Sequence, residues 1–226
     1  MPRRALYEKR PFLLASIAAA LAFYYLRAGS MPELYLIPLK GSAVGLLALY
    51  CFMRHSSPDA RLMGWELGAA ALGDMAIEID RTIGSTLFFL YHVLALGVYL
   101  RNRRPQLAKV QSWVVGLTLI LVPLIGYLLP YDRDQALETA LYALALGAMA
   151  SGAWASNFPR YRVGAGAMLF VLSDILLFAE MGPLGGTEWP GILVWPIYYL
   201  GQFLICTGVI QTLSKREPEL RLVSSR

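Results

Sequence analysis

The stretch of residues 84–130 reads GSTLFFLYHVLALGVYLRNRRPQLAKVQSWVVGLTLILVPLIGYLLP. Two apolar runs flank the segment RNRRPQLAK, which carries four cations. Each run has roughly the 17 to 25 residues that an α-helix needs to cross a bilayer. Because Lys and Arg in short loops are retained in the cytoplasm, the stretch predicts two membrane-spanning helices joined by a cytoplasmic loop.

The same alternation of apolar runs and short polar breaks continues along all 226 residues. Hydrophobic residues make up 57% of the chain and charged residues 15%, and the mean hydropathy of +0.52 lies above the range of soluble domains. We therefore expect an all-α fold, a polytopic membrane helical bundle that forms a single integral membrane domain over residues 1–226. Its eight transmembrane helices are expected at about 12–28, 34–53, 62–79, 84–100, 110–130, 136–154, 163–180 and 189–213.

The distribution of cations predicts the orientation of these helices. With eight spans, sixteen of the twenty Lys and Arg residues fall on the side of the two termini: Arg3, Arg4, Lys9, Arg10, Arg54, Arg61, Arg101, Arg103, Arg104, Lys109, Arg160, Arg162, Lys215, Arg216, Arg221 and Arg226. The loops of the other side hold Arg27, Arg81 and Arg133. Both termini are therefore expected in the cytoplasm, which for a bacterial protein means insertion in the inner membrane. The net charge of +5 is spread over short loops, so no nucleic-acid partner is expected.

A short internal repeat relates the third and seventh predicted helices. Gly64 precedes Asp74 by ten residues, Gly164 precedes Asp174 by the same interval, and each aspartate follows a small residue. The two helices hold equivalent places in two four-helix halves, which predicts halves related in parallel, with chance similarity as the alternative.

Several polar side chains fall inside the apolar runs. At 1.5 Å per residue, Asp74 and Asp174 lie about 9 Å below the outer boundary, Lys40 lies at a similar depth, and His92 lies about one turn deeper. Three residues of the last helix follow deeper still: Tyr198, Tyr199 and Gln202. We expect these side chains to meet in the outer half of the bundle, with the two aspartates facing each other.

An ionisable side chain inside a membrane is costly unless it is paired or lines a wet cavity, so each is a functional candidate. Structural alternatives exist for each of them. The aspartates and His92 could bond neighbouring helices, and Lys40 could extend toward the outer interface. Glu78, one turn from Asp74, could be a solvated rim group. Glu66, near the cytoplasmic end of its helix, is expected at the interface.

The cysteines and histidines do not form a metal-binding pattern. Cys51 and Cys206 lie in apolar runs without CxxC spacing and are expected to be packing residues. Only His92 among the histidines is intramembrane, so a zinc site is not expected, and no metal or cofactor is predicted.

Two carboxyl groups in a cavity of low dielectric constant can catalyse hydrolysis through an oxocarbenium-like state. One group, kept protonated, donates a proton, and the other, ionised, activates water and stabilises positive charge. Asp74 and Asp174 are the predicted pair, and the sequence leaves open which of them is the acid.

Six segments resemble, in order and spacing, motifs of the lysoplasmalogenase family of multi-pass membrane proteins. They are LKGSAVGLLAL, ALGDMAIEI, GSTLFFLYHVLALGVY, LYALALGAM, GAMLFVLSDILLF and YYLGQFLI, and they extend from about Lys40 to Ile205. The resemblance implies hydrolysis of the vinyl ether bond of lysoplasmalogens to a fatty aldehyde and glycerophosphoethanolamine or glycerophosphocholine.

On this interpretation a lysophospholipid enters from the bilayer, with its tail in the apolar bundle and its head group near the outer boundary. There Lys40 could meet the phosphate. The expected substrate-binding residues are Lys40, Glu78, His92, Tyr198, Tyr199 and Gln202. The alternative is a proton-coupled lipid or small-molecule transporter that uses the paired aspartates.

Overall fold

The computed structural model describes the backbone of residues 10–224 and the side chains of residues 11–216. Within that range the protein is all-α, with eight α-helices and one π-helical turn, Arg160–Gly164, before the seventh helix. The helices are α1 (Arg10–Leu26), α2 (Glu33–Arg54), α3 (Pro58–Ala76), α4 (Arg81–Arg101), α5 (Lys109–Leu128), α6 (Arg133–Ala155), α7 (Ala165–Glu180) and α8 (Trp189–Ser224). The predicted fold class and order of eight helices are confirmed.

Six helices of the described residues are long and apolar enough to cross a membrane: Glu33–Arg54, Arg81–Arg101, Lys109–Leu128, Arg133–Ala155, Arg160–Glu180 and Trp189–Arg216. The chain is therefore a polytopic helical membrane protein. α1 is apolar but shorter. α3 contains four charged residues, Asp59, Arg61, Glu66 and Asp74, which lower its hydropathy. The prediction of eight spans is thus confirmed for six helices by length and composition.

The basic residues at the two chain ends, Arg3, Arg4, Lys9, Arg10, Arg221 and Arg226, lie outside the residues whose side chains are described. The orientation of the helices across the bilayer stays a prediction from the charge of the loops.

The helix boundaries follow from local chemistry in the predicted breaks. Ser57 caps α3, because its hydroxyl oxygen accepts a hydrogen bond from the Ala60 amide at 3.2 Å, and Pro58 occupies the first helical position. Asp132 caps α6 by accepting from the Asp134 amide at 3.0 Å. Between α7 and α8, Gly186 has a φ of 79°, a left-handed conformation that glycine adopts without steric cost.

The chain divides into two compact units, and the division runs through α4 and α8. The first unit comprises Met1–Leu94 and Cys206–Arg226, and the second comprises Ala95–Ile205. The single integral membrane domain and the two parallel four-helix halves stay predictions.

In the first unit, small residues bring α2 and α3 close together. A Cβ atom on Gly41 would lie 2.9 Å from the Ala71 carbonyl oxygen, so the two backbones approach at this level. Further along the same pair of helices, Leu47 and Leu67 are fully buried. Close backbone approach at small residues is a usual way in which helices associate in a bilayer.

In the second unit, α7 and α8 approach even more closely. A Cβ atom on Gly166 would lie 2.7 Å from the Gly201 carbonyl oxygen, and one on Gly201 would lie 2.7 Å from the Gly166 carbonyl oxygen. This contact fixes the register of the helix that carries Asp174 against the helix that carries Tyr198 and Gln202.

Candidate functional site

Lys40 and Glu78 form an ion pair in the first unit. The Lys40 Nζ and Glu78 Oε1 atoms are 2.5 Å apart, and the side chains are 14% and 43% exposed, respectively. Lys40 lies in the third turn of α2, whereas Glu78 lies just beyond the end of α3. The Lys40 Nζ atom is also 5.7 Å from the centre of the Phe23 ring on α1, within the range of a cation–π contact. Three segments of the first unit therefore position this ammonium group.

Asp74 has a different environment from Glu78, although only four residues separate them. Asp74 lies in the last turn of α3 and is 2% exposed. The Phe88 ring of α4 packs against the neighbouring Gly73, where a Cβ atom would lie 3.1 Å from the ring. The helix ends at Ala76, so Glu78 projects from the following turn into a half-exposed position. The buried carboxyl group is Asp74, and Glu78 is at the rim.

His92 is fully buried in the part of α4 that belongs to the first unit. The ring of the adjacent Tyr91 meets the His92 ring edge to face, with centres 5.2 Å apart. The first unit thus contains four of the predicted site residues: Lys40, Asp74, Glu78 and His92. Among these four, the ion pair joins Lys40 directly to Glu78.

Asp174 lies in the second unit, on α7, and is 6% exposed. The Tyr142 hydroxyl group on α6 donates a hydrogen bond to Asp174 Oδ2 at 2.9 Å. The Tyr142 ring in turn packs edge-on against Phe178, one helical turn beyond Asp174, with ring centres 5.9 Å apart. The preceding Ser173 hydroxyl donates to the Val194 carbonyl oxygen at 3.1 Å and ties α7 to α8. Neighbouring elements therefore hold the segment around Asp174 on both sides.

Tyr142 is a polar partner that the sequence reasoning missed. It lies in the segment LYALALGAM, where no acid or base marks it out in the sequence. The depth of Tyr142 in the membrane could have indicated that it lies near Asp174. Tyr142 lies nine residues from the start of α6, about 13 Å, and Asp174 lies six residues from the end of α7, about 9 Å, so the two fall in the same predicted half of the membrane.

The predicted residues of α8 lie in an aromatic cluster of the second unit. Gln202 is fully buried, and its Nε2 atom donates to the Tyr198 hydroxyl group at 3.5 Å. The Trp195 ring stacks on Tyr199 at 6.3 Å between centres. Phe170 of α7 meets Tyr198 edge-on at 5.1 Å. Phe170 precedes Asp174 by one turn of the same helix, so the tyrosines of α8 pack beside the helical face that carries the carboxyl group.

Glu66 does not have the environment of a solvated side chain, although its expected depth at the cytoplasmic interface stays a prediction. It is fully buried, and neither carboxylate oxygen has a hydrogen-bond partner among the described residues. The cysteines are buried, as expected for packing residues. In addition, the Cys51 and Cys206 sulfur atoms lie 3.4 Å apart within the first unit. Neither the burial of Glu66 nor the meeting of the two thiols follows from sequence spacing.

The described residues do not contain a group of three or more His, Cys, Asp or Glu side chains placed to hold a metal ion.

The helix order, the six long apolar helices and the buried carboxyl groups of α3 and α7 define a polytopic helical membrane protein with ionisable side chains in its helices. The sequence model of the YhhN family matches residues 35–209, most of the chain. The chain belongs to the YhhN family, which is lysoplasmalogenase-like, so the resemblance drawn from the six motifs is confirmed. The chain matches no curated protein and no solved structure.

Proposed function

We propose that this protein is a membrane lysoplasmalogenase. It hydrolyses the vinyl ether bond of lysoplasmalogens and releases a fatty aldehyde and glycerophosphoethanolamine or glycerophosphocholine. The observation that carries the proposal is the family match over residues 35–209, since the family is lysoplasmalogenase-like. The buried carboxyl groups supply the acid and base groups that this hydrolysis requires.

The reaction needs one proton donor and one group that activates water. A proton is added to the outer carbon of the vinyl ether, and the carbon bonded to oxygen becomes an oxocarbenium centre. Water adds to that centre and loses a proton to the base, and the resulting hemiacetal breaks its bond to the glycerol oxygen, which leaves protonated as the alcohol. The aldehyde and the alcohol together account for the substrate and one water molecule. Carboxyl groups perform both proton transfers in other enzymes that pass through such a state.

Asp74 and Asp174 are the proposed catalytic carboxyl groups. Both are almost fully buried, and burial excludes the bulk water that would compete for the proton. The hydrogen bond from Tyr142 fixes the orientation of the Asp174 carboxyl group. His92 and the group of Tyr198, Tyr199 and Gln202 are proposed to line the substrate path.

Lys40 is proposed to bind the substrate phosphate. In the structure Glu78 holds the ammonium group at 2.5 Å, and the partial exposure of both side chains leaves the pair accessible to a head group. A phosphate would take the place of the Glu78 carboxylate beside Lys40, so Glu78 would keep the lysine in position before the substrate arrives.

We expect Lys40→Met to raise the KM for a lysoplasmenyl substrate by about tenfold or more, the scale of a hydrogen bond to a charged group. Lys40→Arg should retain part of the affinity, because it preserves the charge. Arg27→Met is the matched control, since Arg27 is another cation of the first unit and packs over Tyr24 at 4.8 Å. Steady-state kinetics on the purified variants gives the comparison. A wild-type KM for Lys40→Met would remove the phosphate-binding role.

The function itself is tested with purified protein in detergent or lipid nanodiscs, without added cofactor. We expect release of fatty aldehyde, measured by mass spectrometry, from a lysoplasmenyl phospholipid. The ester-linked lysophospholipid of equal chain length is the control substrate and should yield no aldehyde. Absence of aldehyde from the vinyl ether substrate, with protein that retains a cooperative thermal transition, would contradict the proposal.

The second candidate is a proton-coupled transporter of a lipid or small molecule. The observation that favours it is the equivalent position of Asp74 and Asp174 after Gly64 and Gly164, combined with the burial of both aspartates. Proteoliposomes distinguish the two candidates. Proton-dependent flux of an intact lysolipid without aldehyde formation would favour transport, and aldehyde formation by the detergent-solubilised protein would favour hydrolysis.

A further inference from the structure

Two loops of the second unit are joined by backbone hydrogen bonds into one surface. The first follows α4, and the second lies between α6 and the π-helical turn. The Arg104 amide donates to the Ala155 carbonyl oxygen at 3.0 Å, and the Asn157 amide donates to the Asn102 carbonyl oxygen at 2.7 Å. The Asn157 side chain also donates to the Arg103 carbonyl oxygen at 3.2 Å. The side chains of the two loops are thereby placed on a shared surface.

This surface is strongly basic. We use the name loop patch for the six cations in and beside these two loops: Arg101, Arg103, Arg104, Lys109, Arg160 and Arg162. Neither contributing segment, 100–114 or 153–166, contains an acidic residue. Four of the six cations are exposed, whereas Arg104 and Arg160 are half-buried. The two segments therefore carry six cations and no acidic residue of their own.

Arg104 and Arg160 are held in place by neutral oxygen atoms. Arg104 donates to the carbonyl oxygens of Ser156 at 2.5 Å and Phe158 at 3.2 Å. Arg160 donates to the side-chain oxygen of Gln111 at 2.5 Å. None of the hydrogen-bond partners described for these two arginines is a carboxylate. Partial burial, together with the repulsion from Arg160, lowers the pKa of the Arg104 guanidinium group below its ordinary value.

Holding two like charges close together costs free energy, and an anion between them would offset that cost. Guanidinium groups have five donors in a planar arrangement that matches the oxygen atoms of a phosphate. The two groups that the loops position would therefore gain most from a phosphate, and the four exposed cations would strengthen the attraction.

The level of the patch indicates which phosphate is available. The patch lies where membrane-spanning helices α4, α5 and α6 begin or end. Trp113, in the second turn of α5, and Tyr161 are both largely exposed. Exposed Trp and Tyr residues at the ends of membrane helices are typical of the lipid head-group region. At that level the abundant phosphate is the head group of a phospholipid.

We propose that the loop patch binds the head group of an anionic phospholipid, with the guanidinium groups of Arg104 and Arg160 nearest the phosphate and the exposed cations, Lys109 among them, adding to the attraction. The site is separate from the proposed catalytic carboxyl groups and does not depend on the hydrolytic function. Basic surfaces beside membrane helices bind anionic lipids by the same electrostatic attraction.

The test compares lipid retention by the full-length protein in nanodiscs that contain phosphatidylglycerol or phosphatidylcholine, measured by native mass spectrometry and by thermal transition. We expect Arg160→Gln and Lys109→Gln each to weaken phosphatidylglycerol binding about fivefold, the scale of one cation near an anionic surface. Arg160→Lys should retain more binding than Arg160→Gln. The transition in phosphatidylcholine should not change.

Arg133→Gln is the matched control. Arg133 also belongs to the second unit and also donates to backbone carbonyl oxygens, those of Tyr127 and Pro130, but Asp132 and Asp134 flank it. We expect wild-type retention of phosphatidylglycerol in this variant. Equal retention of the two lipids by the wild-type protein would overturn the proposal. So would an equal loss of thermal stability of Arg160→Gln in both lipids, because that result would make the patch only a structural joint.

Discussion

Replacement of Asp174 by Asn should lower the turnover number for aldehyde release by about two orders of magnitude or more, the usual scale for loss of a general acid or base. The amide is nearly isosteric with the carboxyl group and can still accept the hydrogen bond from Tyr142. It cannot transfer a proton, however. The variant should therefore fold with a thermal transition close to that of the wild type while its chemistry is lost.

Tyr142→Phe provides a graded companion to this variant. The change removes the hydroxyl group that donates to Asp174 Oδ2 but leaves the packing of the ring against Phe178. We expect kcat to fall about tenfold, the scale of one hydrogen bond to a charged group, with little change in KM, because the tyrosine positions the carboxyl group. Tyr127→Phe, on a half-exposed tyrosine of the same unit, should have no effect.

The measurement is single-turnover and steady-state aldehyde release by purified variants with matched thermal transitions. Near-wild-type turnover of Asp174→Asn would exclude Asp174 as an acid or base. A rise in KM together with a fall in kcat for Tyr142→Phe, accompanied by a lower thermal transition, would instead assign the hydrogen bond to the stability of the second unit.

Asp74→Asn should cause a loss of the same size, about a hundredfold or more in turnover. The segment GDMAIEID contains its own control, because Glu78 follows Asp74 by four residues but lies at the rim and pairs with Lys40. Glu78→Gln removes the charge of an accessible group and should lower turnover only severalfold. We therefore expect turnover to fall much further in Asp74→Asn, which changes the buried carboxyl group, than in Glu78→Gln.

The comparison of these two variants decides between the carboxyl groups of the first unit. If Glu78→Gln abolishes turnover and Asp74→Asn does not, the catalytic group has been assigned to the wrong residue. The double variant Asp74→Asn with Asp174→Asn adds a further measurement. When two residues take part in the same reaction, the effects of their substitutions on turnover are far from additive. The double variant should therefore lose little more turnover than either single variant.

The sequence alone was sufficient to select several candidate site residues, because each was recognised from its own position in an apolar run. An acid in an apolar run is costly, which selected Asp74 and Asp174 before any contact was known. Both are buried in the structure. Their proposed catalytic roles, and the expectation that they face each other, stay predictions. Glu66 shows the limit of such reasoning: its distance from the helix end gave no sign that the packing around it buries it completely.

By itself, the sequence determined the class of protein, the order of the eight helices and the family. In a bilayer each helix satisfies its backbone hydrogen bonds within its own segment, so the length and apolarity of a run are enough to specify it. Only the tertiary structure decided which side chains meet: Tyr142 with Asp174, Lys40 with Glu78, and Cys51 with Cys206 across 155 positions of the chain. Those contacts depend on the rotation and register of helices packed against one another, which small residues such as Gly41 and Gly166 set through close backbone approach.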